Sequence, residues 1–298
     1  MSAQTWSIGE IAARTGLSVK TVRYYSDSGL LPVAERSCGG HRRYGPEALE
    51  RLRLIRRLRA LDVPIAAITG VVTGERGLED LLTSELDTVQ ERLAGLRWRQ
   101  ATLQALDDCE ADERLRRLEV LSQVGDLPQA HTELYERWDK ALPASLPPQV
   151  ADTLVAAATP HPPAEPSPRH VLAYAELHLI TAHPHFHEQL IFPVDTRAGL
   201  FYTGLLDSVA VASEALIQRS AEQLVHAGQL LADACARAYR TQNTPDYHHE
   251  LRLYFQARPL VPRYWNHVKA LAPDPAHGGA SAYTRLIQQF TRPQAIHT

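Results

Sequence analysis

Side chains that could contact nucleic acid are concentrated near the start of the chain. Guanidinium and ammonium groups pair with phosphate oxygens, and hydroxyl groups bond both to phosphates and to the edges of bases. The types and spacing of ten residues therefore predict a surface that contacts nucleic acid. They are Ser18, Lys20, Thr21, Arg23, Tyr24, Tyr25, His41, Arg42, Arg43 and Tyr44.

These residues need a framework, and the local sequence predicts a helix-turn-helix. Ser7 and Glu10 have the spacing of a capping box, in which each side chain bonds to the other residue's backbone amide at the start of a helix. Thr15-Gly16-Leu17 predicts a tight turn, and Ser18 is suited to cap a second helix that runs towards Ser26. In this motif the second helix enters the major groove of DNA.

A short hairpin and a third helix are predicted next. Residues 33–44 can fold as a hairpin around Cys38-Gly39-Gly40, which places residues 41–43 on the returning strand. Pro46 stands at the first position of the third helix, where proline is tolerated. Apolar side chains at helical spacing indicate that one face of this helix is buried. They are Leu49, Leu52, Ile55 and Leu58.

Together these segments resemble a known family. The run TGLSVKTVRYYSDSGLL, the later GGHRRY and the still later ALDVPIAAI are similar to the N-terminal winged-helix domain of MerR-family transcription regulators, over roughly the first 72 residues. The resemblance implies a homodimer that binds a pseudo-palindrome in double-stranded promoter DNA. It also implies that the dimer distorts the DNA, acts with RNA polymerase as an activator or a repressor, and senses an effector through its C-terminal region.

Residue chemistry and position in the motif divide the ten residues by role. Thr21 and Arg23, with Lys20 nearby, are expected to lie close to base edges. Phosphate and sugar groups are expected to be held by the tyrosines of the second helix and by the arginines and the tyrosine of the hairpin, which are Tyr24, Tyr25, Arg42, Arg43 and Tyr44.

Charge is distributed unevenly along the chain. Residues 1–60 contain 11 Lys and Arg against 5 Asp and Glu, a balance of +6, whereas the remainder balances at −9. Positive charge at one end is what a domain that binds a polyanion requires. The alternatives are an arginine-rich surface that is merely solvated and a protein-interaction module.

Composition limits the other function classes. A chain of 298 residues that is 44% hydrophobic can bury a sizeable core, and two domains fit this length better than one. No apolar run approaches the ~20 residues of a membrane helix, and the opening residues lack a secretion signal. Cys38, Cys109 and Cys235 are too widely spaced to predict a disulfide framework. We therefore expect a cytoplasmic protein without a cofactor.

A heptad pattern predicts a dimerisation helix between Leu78 and about Asp108. Its apolar positions alternate at spacings of four and three residues from position 82 to 96, as in a coiled-coil seam, and the pattern weakens at Gln100 before the last of them. They are Leu82, Leu86, Val89, Leu93, Leu96 and Leu103. An antiparallel pairing within the chain, with Leu115, Leu118 and Leu121, is the alternative to a homodimer.

The predicted fold class is mainly α, with a winged helix-turn-helix at 1–76, a long antiparallel coiled-coil helix at 77–122 and an all-helical effector-sensing domain at 123–298. Within the last domain we expect helices that include Leu146–Ala158, Arg169–Ala182 and Thr203–Tyr239. A proline-rich, exposed connector is expected at residues 159–168.

Aromatic side chains suggest a pocket for a small organic effector in the helical domain, because such pockets combine aromatic walls with a few polar groups. The candidates are Trp138, Tyr174, His178, Tyr202, Tyr254, Tyr264 and Trp265.

Two other function classes are weighed against this one. The first is a metal-responsive regulator, since imidazole binds zinc, copper and nickel. Its candidate ligands are His178, His183, His185, His187, His248 and His249. The second is a helical enzyme or interaction protein with a DNA-binding domain attached. Glu-His neighbours such as His187-Glu188 could serve as acid and base, but no nucleophile or phosphate loop accompanies them. We therefore predict a protein that is not an enzyme and holds no metal.

Overall fold

The computed structural model describes residues 4–125, 127–190, 197–272 and 278–291. The chain divides into two compact units, Met1–Leu93 and Ala94–Thr298, and the division falls within one long helix. Within the described ranges, both units are built from helices, and the N-terminal unit adds a two-stranded hairpin. This confirms the mainly helical fold class, while the boundaries after residues 76 and 122 stay predictions.

The N-terminal unit begins as the local signals predict. The capping box is present, since the Ser7 amide donates to Glu10 Oε2 at 2.7 Å and the Glu10 amide donates to Ser7 Oγ at 3.3 Å. The first helix ends at Gly16, whose φ of 69° lies in the left-handed region that favours glycine. The elements of this unit are α1 (Ile8–Thr15), α2 (Val19–Asp27), β1 (Glu35–Arg36), β2 (Arg42–Arg43), α3 (Pro46–Arg59), α4 (Ile65–Thr73) and the first part of α5 (Leu78–Asp107).

A small apolar core joins these elements. Ile11 of α1, Val22 of α2, and Leu52 and Ile55 of α3 are all fully buried there. The hairpin, which we call the wing, pairs its strands antiparallel, with Arg36 opposite Arg42. The base of the wing is fastened to the chain's start, because Trp6 and Tyr44 exchange backbone hydrogen bonds of 2.8 and 2.9 Å. The core thereby fixes the wing and α2 together.

The C-terminal unit is a helical domain with its own core. After the second part of α5 it contains α6 (Ala111–Leu121), α7 (Leu127–Ala141), α8 (Pro148–Ala158), α9 (Pro168–Ala182), α10 (Phe186–Leu190), α11 (Ala198–Gln218), α12 (Ala221–Tyr239), α13 (Pro245–Gln256), α14 (Leu260–Leu271) and α15 (Gly279–Thr291). The closest packing is between α11 and α12, where a Cβ on Gly204 would come within 2.4 Å of the Ala234 Cβ. Only glycine allows these two helices to approach so closely.

The helix predicted at Thr203–Tyr239 is wrong, because the segment forms two helices, α11 and α12. Arg219 ends the first in a left-handed conformation, with a φ of 55°. Ser220 then caps the second by accepting a hydrogen bond from the Gln223 amide. Since arginine gives no turn signal, the sequence pattern continued through the break.

Two smaller expectations also need correction. The helix expected from Leu146 begins at Pro148, because the helical conformation is disfavoured for a residue that precedes proline, as both Leu146 and Pro147 do. The connector expected to be exposed at residues 159–168 is exposed only in part. Thr159 is buried and its hydroxyl donates to the Val155 carbonyl at 2.7 Å, while Pro168 already belongs to α9.

The sequence led us to expect no apolar run long enough for a membrane helix, and the structure modifies this expectation. Among the described residues, Ala198–Gln218 alone is long and apolar enough to cross a membrane by length and composition, with a mean hydropathy of 1.4. This helix packs against α12 and α15, and it buries Phe201, Tyr202 and Leu205. It therefore contributes side chains to the core of the C-terminal unit, where 39% of its apolar window is buried.

Candidate functional site

The second helix presents a cationic face because of how it begins. Ser18 Oγ caps α2 by accepting the Thr21 amide at 3.0 Å, and it also bonds to the Thr21 hydroxyl at 2.7 Å. With Val22 turned into the core, Lys20 and Arg23 point to solvent. Arg23 has no hydrogen-bond or ion-pair partner in the described parts of the chain. Its guanidinium is therefore available for a ligand.

The wing adds cations beside this face. Its turn is closed by Gly40, whose φ is 78°, and the Gly40 amide donates to the Ser37 carbonyl at 2.8 Å. Arg36 lies on the outgoing strand and donates to the Gly40 carbonyl at 3.2 Å, while His41 is exposed on the return. The wing is thus a short, rigid support for positive charge.

Arg42 and Arg43 carry positive charge and also make hydrogen bonds that hold the N-terminal unit together. Arg42 bonds to the Asp27 carboxylate and donates to Ser26 Oγ at 3.0 Å, so it fastens the wing to α2. The hydrogen bond to Asp27 raises the pKa of Arg42 above its ordinary value. Arg43 donates to the Thr5 carbonyl at 2.9 Å. Both guanidiniums are partly exposed, and each keeps donors that face solvent.

These side chains line one cavity, which we call the concave face. It is bounded by α1, α2 and the wing, and its volume is about 490 Å³. Its charged lining consists of Arg23, Arg36, Arg42, Arg43 and Asp27. Four guanidiniums against one carboxylate leave an excess of positive charge, and the carboxylate is already engaged by Arg42. A concave, cationic surface of this kind is suited to a phosphodiester backbone.

Two of the predicted contacts need correction. Tyr44 is fully buried, and its hydroxyl is 2.9 Å from Ser26 Oγ inside the N-terminal unit. Tyr25 is also buried, and its ring lies 5.6 Å from that of Tyr24. These two side chains therefore support the surface from beneath. Tyr24, which is 58% exposed, is the tyrosine able to touch a ligand.

Arg36 is a candidate contact that the sequence reasoning missed. It is exposed, lines the concave face and lies opposite Arg42 in the wing. The signal was available, because a hairpin that turns around Cys38-Gly39-Gly40 pairs residue 36 with residue 42 and sets their side chains on the same side.

The six heptad positions on α5 are exposed, and we call this set of residues the seam. Its six members are between 41% and 63% exposed. Leu115 and Leu118 of α6 are exposed as well, so they do not cover Leu96 and Leu103 in the C-terminal unit. The pairing within the chain is therefore not formed at Leu115 and Leu118, whereas Leu121 is buried in the core of the C-terminal unit together with Trp98 and Ala101 of α5.

The seven aromatic and histidine candidates for an effector pocket are not all brought together. Trp138 and Tyr264 form a buried pair, in which Trp138 Nε1 donates to the Tyr264 hydroxyl at 2.6 Å. Tyr174 and His178 form a second buried pair, with ring centroids 5.3 Å apart. Trp265 stacks on Tyr283 instead, at 4.4 Å. All three of these pairs belong to the packing of the C-terminal core.

Tyr202 and Tyr254 do line one cavity, with Phe201, Phe255, Arg258 and Gln189. The Arg258 guanidinium lies 3.4 Å from the centre of the Tyr254 ring. The volume of this cavity is about 30 Å³, which suits about one water molecule and no organic effector. Among the described residues, the aromatic candidates therefore line no cavity large enough for an organic effector.

The histidines offer no metal site among the described residues, which contain no group of three or more His, Cys, Asp or Glu with suitable geometry. His178 is 3% exposed, and burial lowers its pKa to about 4. His183 and His185 are exposed, with rings 5.7 Å apart, and His185 bonds to Glu188 at 3.0 Å.

Comparison with known proteins bears on this N-terminal unit first. Residues 6–75 match the model of the MerR HTH family of regulatory proteins. A mercuric resistance operon regulatory protein from Bacillus cereus is 31% identical over 97 residues, which are 30% of this chain and 74% of that relative. The chain belongs to the MerR family.

Two other relatives match a larger share of the chain. Nodulation protein NolA of Bradyrhizobium sp. (strain NC92) is 34% identical over 42% of this chain and 54% of its own length. The HTH-type transcriptional activator TipA of Streptomyces coelicolor is 30% identical over 45% of this chain and 54% of its own length. The chain thus covers about half of these two relatives. Two of these three relatives are named as regulators and one as a nodulation protein.

Proposed function

We propose that this MerR-family chain is an effector-responsive transcription regulator that binds promoter DNA as a homodimer. The concave face carries this proposal, because it sets the unpartnered guanidinium of Arg23 beside the arginines of the wing. In a helix-turn-helix protein the helix that bears Arg23 enters the major groove. The wing would then follow the adjacent phosphates.

The ten candidate contacts divide by exposure. Lys20, Thr21 and Arg23 are proposed to reach base edges, whereas Tyr24 and the wing residues His41, Arg42 and Arg43 are proposed to hold the backbone. Ser18 fixes the start of α2, and the buried Tyr25 and Tyr44 support the surface.

The exposed seam on α5 supports the dimer. Six apolar side chains remain exposed on α5, and complete burial of a fully exposed side chain of this type is worth at most about 3 kcal/mol, so each of these would gain part of that amount in an assembly. A second copy of the same helix offers the same apolar residues for contact. Two copies of the chain also supply the two DNA-binding units that a pseudo-palindrome requires. We propose an antiparallel pairing of α5 with its copy.

The remaining parts of the proposal follow from the family. Binding energy would be used to distort the promoter, and an effector would shift the balance between distorted and relaxed DNA in favour of or against RNA polymerase. The effector is proposed to be a small organic molecule, and the protein is proposed to act in the cytoplasm without enzymatic activity.

The DNA-binding part is tested by fluorescence anisotropy with duplex DNA from upstream of the coding region, over a series of salt concentrations. Arg36→Ala is expected to weaken binding to this and to unrelated DNA alike, and to lower the slope of log affinity against log salt by about one unit. Arg23→Ala is expected to change the preference among bases instead, by about 1–3 kcal/mol at the affected position.

The control is Arg53→Ala, which removes the same charge from α3, where Arg53 is paired with Glu50. It is expected to bind as the parent does. Arg43→Ala is less informative, because Arg43 also bonds to Thr5. Two outcomes would contradict the assignment of the concave face. One is that the parent does not bind DNA at low salt, and the other is that Arg23→Ala, Arg36→Ala and Arg53→Ala lose equal amounts of affinity.

The dimer is tested by sedimentation of the full chain. Leu93→Glu places a charge in the middle of the seam and is expected to weaken self-association at least tenfold, a change of about 1.4 kcal/mol. Ala94→Glu introduces the same charge at the neighbouring exposed residue, outside the seam, and is the matched control. If both variants associate like the parent, the seam is not the dimer contact.

A further inference from the structure

A second open cavity lies in the C-terminal unit, between α6, α9 and α14. Its volume is about 700 Å³, within the roughly 300–1,000 Å³ typical of small-molecule sites. It is therefore more than twenty times larger than the 30 Å³ cavity beside Tyr202 and Tyr254. This cavity therefore has room for a small organic molecule.

Some of the charged side chains that line this cavity already have an ion-pair partner, and others do not. Glu113 is held by Arg117 at 2.8 Å, and Glu176 is bound by Arg263. Both carboxylates of the lining thus already have a guanidinium partner. Arg116 of α6 and Arg169 of α9 face the same cavity and have no hydrogen-bond or ion-pair partner in the described segments.

The rest of the lining is apolar or neutral. Val120, Leu172, Ala173 and Ala270 supply aliphatic surface between the two arginines' helices and α14. Burial lowers the pKa of His267, which favours its neutral form. A ligand with an anionic end and an apolar body would therefore match both parts of the cavity, because guanidinium groups bind carboxylate and phosphate through paired hydrogen bonds.

The cavity is also connected to the end of the long helix. Arg117 donates to the Ala105 carbonyl at 2.7 Å, and Arg114 donates to the Leu106 carbonyl at 2.8 Å and the Cys109 carbonyl at 3.0 Å. These bonds satisfy carbonyls that are left without partners where α5 ends. An anion that attracts Arg117 would compete with the Ala105 carbonyl for the same guanidinium.

We propose that the cleft between α6, α9 and α14 binds a small organic anion, a carboxylate or phosphate with an apolar body, through Arg116 and Arg169. Its occupancy is transmitted to the end of α5 through Arg117. The transmission rests on the regulator function proposed above and deepens it, since it assigns the effector's chemical class and its site. Binding itself is independent of whether the chain binds DNA.

Isothermal titration calorimetry of the full chain with phenyl phosphate and with benzoate tests the site. Inorganic phosphate and benzyl alcohol carry only the anionic or only the apolar part, and each is expected to bind at least tenfold more weakly. Arg116→Gln and Arg169→Gln are each expected to weaken the better-bound aromatic anion at least tenfold. Neither residue has a partner to lose among the described residues, so both variants should fold.

The matched control is Arg285→Gln, which removes an exposed arginine of α15 that does not line the cleft. It is expected to bind as the parent does. Failure of both aromatic anions to bind at millimolar concentration, or equal losses in all three variants, overturns the site.

Hydrogen exchange tests the transmission. The bound anion is expected to change the amide protection of residues 104–109, where the carbonyls held by Arg114 and Arg117 lie. An anion that binds but leaves this segment unchanged overturns the coupling and leaves the site standing. Loss of DNA binding in the anisotropy experiment would sink the regulator function without affecting either calorimetric result.

Discussion

The cations of α2 and the wing differ in their exposure from the Trp138–Tyr264 contact of the C-terminal unit. In the N-terminal unit, Arg23 and Lys20 are exposed, and even the bonded Arg42 and Arg43 keep donors towards solvent. In the C-terminal unit, the most restrained polar groups are buried. The Tyr264 hydroxyl there accepts from Trp138 and donates to the Ala158 carbonyl at 2.7 Å.

Sequence separation explains the contrast. Ser18 and Thr21, or Ser7 and Glu10, are three residues apart, so a short motif fixes their geometry. Trp138 and Tyr264 are 126 residues apart and meet only after α7 and α14 have packed. A surface that binds a partner can thus be written into a local motif, whereas an internal polar contact depends on the whole fold.

The largest expected effect is at Tyr264, the centre of that internal contact. Tyr264→Phe removes the hydroxyl and leaves the Trp138 indole N–H and the Ala158 carbonyl without their partner. Since each of the two orphaned buried groups costs about 1–3 kcal/mol, the free energy of unfolding should fall by about 2–6 kcal/mol. Urea unfolding followed by tryptophan fluorescence measures the change.

Tyr135→Phe is the matched control, because it removes the hydroxyl of a tyrosine that is 40% exposed. It should leave stability nearly unchanged. A similar loss in the two variants would mean that burial of polar groups does not distinguish the C-terminal unit.

An effect of intermediate size is expected from the pH dependence of stability. Burial, followed by the nearby Arg137, lowers the pKa of His178 from 6.5 to about 4. Between these two pH values His178 is protonated in the unfolded chain but neutral in the folded chain. The free energy of unfolding therefore falls as the pH falls. From pH 7 to pH 5 this one group should cost about 2 kcal/mol.

His178→Phe removes the titrating group while keeping a ring beside Tyr174. The loss of stability between pH 7 and pH 5, measured by urea unfolding, should therefore be smaller in this variant by about 2 kcal/mol. His249→Phe, at an exposed position, is the control. An unchanged pH profile in His178→Phe would show that His178 is not the group responsible.

The smallest expected effect sharpens the comparison most directly, because the two units contain equivalent helix caps. Ser18 Oγ accepts the Thr21 amide at 3.0 Å, and Ser220 Oγ accepts the Gln223 amide at 3.2 Å. Ser18→Ala and Ser220→Ala should each lower stability by about 1 kcal/mol, as measured by urea unfolding.

Their effects on DNA affinity should differ. Ser18→Ala loosens the start of α2 and should weaken DNA binding in the anisotropy experiment, whereas Ser220→Ala should not. Equal DNA affinities in the two variants would argue against a role for α2 in contacting DNA.

The sequence by itself determined the framework of the N-terminal unit. Capping serines, the glycine turn and Pro46 act on neighbouring backbone groups, so α1, α2, the wing and α3 were predicted close to their observed bounds. The exposed face of α2 was predicted for the same reason, since helical periodicity alone separates Val22 from Lys20 and Arg23.

Only the tertiary structure decided which polar and aromatic residues meet. Tyr44 looked like a backbone contact in the motif, but its strand turns it onto Ser26 in the core. The break at Arg219 carries no glycine or asparagine to mark it. The cleft that joins Arg116 to Arg169 draws on three helices distant in sequence, and contacts of that kind depend on packing, which no local pattern encodes.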